Sequence, residues 1–105
     1  MTKSERPKLE AQALVLKAMA HPSRLLMIQA LENGPKCVCE LQALVAADMS
    51  TVSKHLSVLK QAHIVKNEKK GTMIMYSLTV PCILKFLNCV DNVIRKQADD
   101  HNALK

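Results

Sequence analysis

Apolar positions recur every three or four residues up to about residue 62, alternate with polar ones through the seventies, then return to helical spacing. Leu9, Ala13 and Leu16 stand at i, i+4 and i+7 and predict a first helix from about Leu9 to Met19, turned toward a core. Residues 1–8 are polar and charged and read as a flexible lead-in. His21-Pro22 separates this helix from a second, because proline suits a first helical turn. Leu25, Ile28 and Leu31 line its inner side, and Asn33-Gly34-Pro35 ends it. Cys37 and Glu40 occupy the positions of a capping box opening a third, short helix. Its apolar face carries Val38, Leu41, Leu44 and Val45. Past the turn Ala46-Ala47-Asp48-Met49, with Asp48 as N-cap, a fourth helix runs to about Ala62 on Val52, Leu56 and Leu59.

Ile74, Tyr76 and Leu78 then alternate with Met73, Met75 and Ser77, which is strand spacing. Lys69-Lys70-Gly71-Thr72 is the predicted tip of a hairpin pairing this strand with Ile64–Glu68. A last helix, from near Pro81 to about Gln97, is apolar on most sides between Val80 and Ile94. That is more than one face of a small monomer needs. The predicted fold is therefore mainly α with a β-hairpin wing, in the order ααααββα, as a single domain over residues 1–105. Two short helices joined by a tight turn and followed by a hairpin form the layout of a winged helix-turn-helix.

Charge and composition sharpen this. Lys and Arg number 15 against 9 Asp and Glu, a net charge of +6 that favours a polyanionic partner. Tyr76 and Phe86 are the only aromatic residues, which argues against single-strand or RNA binding by base stacking and for duplex DNA. The amino terminus lacks the apolar stretch of a signal peptide, and no uninterrupted apolar run is long enough to span a membrane. Four cysteines without a secretory signal read as reduced thiols, ligands or sensors, and the expected compartment is the cytoplasm.

The fourth helix is the predicted DNA reader. With its apolar positions removed, Ser50, Thr51, Ser53, Lys54 and Ser57 face outward, with His55 at the margin. Small hydroxyl side chains let a helix sit deep in the major groove, and Lys69 and Lys70 place positive charge on the wing. The segments AMAHPSRLLMIQAL, CVCEL, STVSKHLSVLKQAHIV and KKGTMIMYSL resemble the ArsR/SmtB repressors over residues 12–95. The resemblance implies a homodimer through the first and last helices, repression of a nearby operon, and release from double-stranded operator DNA when an inducer binds. It assigns DNA contacts to Ser50, Thr51, Ser53, Lys54 and His55 on the helix and to Lys69 and Lys70 on the wing. Family members commonly have glycine where His63 stands, a position where a left-handed backbone is tolerable for histidine.

Cys37-Val38-Cys39 resembles the Cys-Val-Cys pair of the arsenic-, antimony-, cadmium- and lead-sensing members. The resemblance thus implies a thiophilic inducer, As(III) or Sb(III) first and Cd(II) or Pb(II) next, as soft thiolates select soft ions. Positions i and i+2 point to separate sides of a regular helix, so one ion holding both sulfurs must distort the first turn. The sequence departs from the arsenical repressors at Gln42, where they have a third cysteine, and residues 1–36 contain none. A third ligand must come from Cys82 or Cys89, or the site stays two-coordinate. Cys82 and Cys89, seven apart with Phe86 and Val93, also suit a buried interface. A thiol-redox or reactive-sulfur sensor of the same fold is the alternative. The family's carboxylate–histidine metal site on the last helix is not matched, since Val93 stands where a histidine is needed. Met19, Met27, Met49, Met73 and Met75 read as core or wing residues and not as a copper site. DNA binding needs no cofactor in this reading. Two glycines and no Cys-x-x-Cys leave an enzyme poorly supported, and a protein-interaction module without DNA binding is a further alternative.

Overall fold

The apolar positions of the second and fourth helices meet as their spacing predicts. In the computed structural model, which describes residues 1–103, these helices are α2 (Pro22–Ala30) and α4 (Met49–Gln61). They pack with α3 (Val38–Val45) around Met27, Ile28, Leu41, Val52, Leu56 and Leu59, all essentially inaccessible to solvent. Leu31, in a short 3₁₀ turn (Leu31–Asn33), and Ile64 and Val65 at the entrance to the wing complete this core. Leu44, expected on the inner face of α3, is exposed: the short helix covers the core with Leu41 and the half-buried Val38 and Val45 instead.

Before these come α1 (Arg6–Met19), and after them the wing and α5 (Ile83–Ala103). Helix α1 begins earlier than the predicted Leu9, so residues 1–8 are not merely a lead-in. Thr2 Oγ1 accepts from Glu5 N at 3.2 Å, and Glu5 Oε2 accepts from Thr2 N at 3.0 Å. This reciprocal pair winds the chain into a turn, and Pro7 suits the first turn of the helix that follows. At the other end α5 continues past Gln97, because neither glycine nor proline follows Pro81. Leu104 and Lys105, the end of the expected single domain, lie outside the described residues.

The wing holds a strand that periodicity did not reveal. β1 (Lys36–Cys37), β2 (Val65–Lys70) and β3 (Met73–Leu78) form an antiparallel sheet in the order β1-β3-β2. Two residues are too few to display alternation. β1 faces only the middle of β3, with Lys36 opposite Tyr76 and Cys37 opposite Met75. The outer half of the hairpin is a two-stranded ribbon, closed by Gly71 and Thr72. Gly71 has φ +63°, and Thr72 does not share the positive φ, as the first and second residues of a type II′ turn require. Lys69 and Lys70, expected at the tip, are instead the last two residues of β2. Consecutive strand residues point to opposite faces, so these two lysines diverge.

Leu9, Ala13 and Leu16 of α1, expected to face inward, are exposed, and within that helix only Ala18 and Met19 are buried. α5 leans on the core through the half-buried Ile83, Leu84 and Leu87, while Phe86, Val90, Val93 and Ile94 remain in solvent. The radius of gyration is 16.5 Å, against about 13 Å for a compact domain of this length. The first and last helices therefore project from the core with apolar faces uncovered.

Candidate DNA interface and thiol cleft

Helix α4 starts from a firmly built turn. Ala46, at φ 57°, ends α3 in the left-handed region and donates its N–H to Gln42 O at 2.9 Å. Gln42 also donates through Nε2 to Ala47 O at 3.3 Å. Gln42 thus braces the turn. Asp48 then caps α4, its Oδ1 accepting from Thr51 N at 2.7 Å and from Ser50 Oγ at 3.1 Å. The Thr51 backbone N–H, with the neighbouring hydroxyls and Lys54, holds the Asp48 carboxyl below its ordinary range. Thr51 and Ser50 thereby serve the cap as well as the surface.

Along α4, Ser50, Ser53, Lys54 and Ser57 are exposed, Thr51 and His55 half-buried. His55 is drawn toward α2: its Nδ1 lies 3.1 Å from Arg24 Nη1, and its ring centroid lies 4.4 Å from that of His21. Arg24 Nε donates to Ala18 O, and His21 Nδ1 caps α2 by accepting from Ser23 N at 3.0 Å. Burial, then His21 and Arg24, lowers the pKa of His55. This junction of α1, α2 and α4 escaped sequence reasoning, because 31 positions separate Arg24 from His55. Beyond α4, His63 adopts φ 61°, the left-handed turn foreseen for it, and leads into the wing. Both wing lysines are exposed.

Cys37 is 4% exposed and stands both in β1 and at the N-cap of α3. Glu40 Oε1 accepts from Cys37 N at 3.2 Å, the carboxylate half of the capping box. That backbone hydrogen bond, with smaller contributions from the Cys37 side chain and Lys36, lowers the pKa of Glu40. Cys39, in the first turn of α3, is exposed. Both cysteines line an open cleft of about 360 Å³ whose other walls include Met49 and Ser53 of α4 and Thr72, Met73 and Ile74 of the wing. Cys82 immediately precedes α5 and Cys89 lies within it, both exposed. Among the described residues no three His, Cys, Asp or Glu side chains converge as metal ligands, so neither Cys82 nor Cys89 joins the pair within one protomer.

Residues 21–67, from the cap of α2 to the middle of β2, match the family described as "Bacterial regulatory protein, arsR family". An uncharacterized HTH-type transcriptional regulator of Methanocaldococcus jannaschii is 36% identical over 87 residues, covering 82% of this chain and 98% of its own. The chain belongs to the arsR family. A transcriptional repressor SmtB homolog of Synechocystis is 34% identical to this arsR-family chain over 90 residues, covering 86% of the chain and 63% of the homolog. A homodimeric winged helix-turn-helix DNA-binding domain from Mycobacterium bovis superposes with a TM-score of 0.81 at 23% identity, covering 96% of this chain and 94% of that one. The arsR-family chain is thus a DNA-binding transcriptional repressor of the winged helix-turn-helix type and not an enzyme, as its relatives are regulators. Among the described residues no helix is long and apolar enough to cross a membrane.

Proposed function

We propose that this arsR-family chain binds operator DNA as a homodimer and is released by a thiophilic metal or metalloid held by Cys37 and Cys39. Ser50, Thr51, Ser53, Lys54 and Ser57 meet the major groove, His55 sets the helix margin, and Lys69 and Lys70 reach the adjacent backbone. The observation that carries the inducer reading is the cleft: its wall joins both thiols to Met49 and Ser53 of the reading helix and to the wing strand. An ion drawing Cys37 and Cys39 together must move the first turn of α3, and with it the surfaces that meet DNA. Dimer formation is supported by the uncovered apolar faces of α1 and α5 and by the homodimeric relative from Mycobacterium bovis.

The test is titration of the reduced protein on its operator with arsenite, antimonite, cadmium and lead, read by fluorescence anisotropy. Cys37→Ser and Cys39→Ser should bind DNA nearly as well as the parent, serine being a good N-cap at Cys37, yet each should lose release. A double variant still released by all four ions would exclude this site. Exposure of Cys39, Cys82 and Cys89 favours a second reading, in which peroxide or a polysulfide oxidises pairs of thiols and is itself reduced. It predicts release without metal, reversal by a dithiol, and a mass change for a disulfide or polysulfide bridge.

A further inference from the structure

Met19 and Met27 are buried in the core, but Met49 and Met73 are 41% and 49% exposed. Neither packs in the core, and both open onto the cleft that Cys37 and Cys39 line. Pairing explains part of this grouping. Cys37 lies opposite Met75, and residues two apart on a strand share a face, so Met73 projects from the same side of the sheet as Cys37. Met49 arrives from the first residue of α4, directly after the Asp48 cap. Two cysteines and two methionines thus line one space, and three flexible torsions let each methionine swing its sulfur inward.

We propose that this cleft takes a soft monovalent cation, copper(I) or silver(I), held by the Cys37 and Cys39 thiolates with the Met49 and Met73 thioethers completing its surroundings. The inference rests on the two-cysteine reading above and narrows its ion. A trivalent metalloid that wants three thiolates finds only two here, and no histidine or carboxylate joins them among the described residues. Thioethers are neutral, soft donors that suit copper(I) and add little for harder divalent ions. Binding releases one proton from each thiol and transfers no electron. The ion would tie the first turn of α3 to the start of the reading helix and to the first residue of β3, clamping three elements in one step.

The test uses the reduced full-length protein under anaerobic conditions. Copper(I) is titrated in competition with a chromophoric copper(I) chelator, and cadmium with a metallochromic dye. Leucine conserves volume, so the variant is Met49→Leu with Met73→Leu. It should lose about tenfold or more in copper(I) affinity and keep its cadmium affinity. In parallel, silver(I) added to protein carrying ¹³C-labelled methionine methyls should shift the Met49 and Met73 signals and leave Met27 in place, which needs no substitution. Unchanged copper(I) affinity in the double variant, with unmoved Met49 and Met73 methyls, overturns the thioether proposal. If Cys37→Ser and Cys39→Ser still lose both metals in that case, the two-cysteine reading survives it. Full copper(I) and cadmium affinity in those cysteine variants overturns both.

Discussion

Ile94→Ala isolates the proposed subunit contact from the fold. Ile94 is 56% exposed and absent from the core, so its side chain is no part of the protomer's own packing centre. Leu87, on the same helix, packs against the protomer's own core, and its replacement would confuse unfolding with dissociation. Fully burying an isoleucine side chain is worth about 1.5–3 kcal/mol, and a little over half of that surface is still available at Ile94 for a partner to cover. A symmetric dimer buries the residue twice, so the substitution should weaken dimerisation by about 2–3 kcal/mol, a rise of about 30- to 150-fold in dissociation constant. Sedimentation velocity across a concentration series measures this, with far-UV circular dichroism as the control for an unchanged protomer. Operator affinity at low protein concentration should fall in parallel, because two half-sites need two joined readers. A variant that dissociates at the same concentration as the parent would refute the assignment of this face to a second copy.

Three further outcomes follow from the geometry. Lys69→Ala and Lys70→Ala should each weaken binding to all duplexes alike and flatten the salt dependence by about one unit of slope for each phosphate no longer neutralised. Because the two lysines diverge, the two slopes should differ, whereas Ser53→Ala or Lys54→Ala should instead narrow the gap between operator and random DNA; equal loss of discrimination from both sets contradicts this division. Leu41→Ala removes a side chain with no solvent exposure and should cost about 2–5 kcal/mol in a urea titration, and a loss below about 1 kcal/mol would mean that the α3 packing is misjudged. Folding lowers the pKa of His55, so the folded chain binds fewer protons; stability is complete above the ordinary histidine value of about 6.5 and declines as the pH falls through the lower, folded one. The Glu40 and Asp48 carboxyls, lowered in the same sense, contribute only at more acidic pH, so His55→Gln should flatten the urea midpoint between pH 7.5 and 5, and an unaltered slope would remove His55 as its source.

What could be read from the chain was what depends on nearby residues. Val52, Leu56 and Leu59 needed only helical spacing, and Asp48 and Thr51 only three positions. Periodicity also found the apolar side of α1, but Leu9 and Leu16 proved exposed, because spacing reveals that a face is apolar and not what covers it. The meeting of His21 and Arg24 with His55 depends on helix crossing, which leaves no local trace. β1 needs a partner nearly forty residues away and has too few residues to advertise itself. The start of α1 was legible in principle, since Thr2 and Glu5 have capping-box spacing, but no apolar run follows closely enough to draw attention to them.

The short reach of β1 divides the wing into two thermodynamic regimes. Where Lys36 and Cys37 flank β3, the strand has neighbours on both sides, and its amides belong to the same cooperative unit as the cap of α3. From Met73 and Ile74 outward the ribbon has two strands and exposed side chains, a structure of marginal stability by itself. Opening the lysine-bearing end therefore demands far less free energy than opening its base. In the proposed DNA complex such a wing can reshape against the varying width of a groove while its root stays fixed to the core, so local melting at the tip leaves the position of α4 untouched.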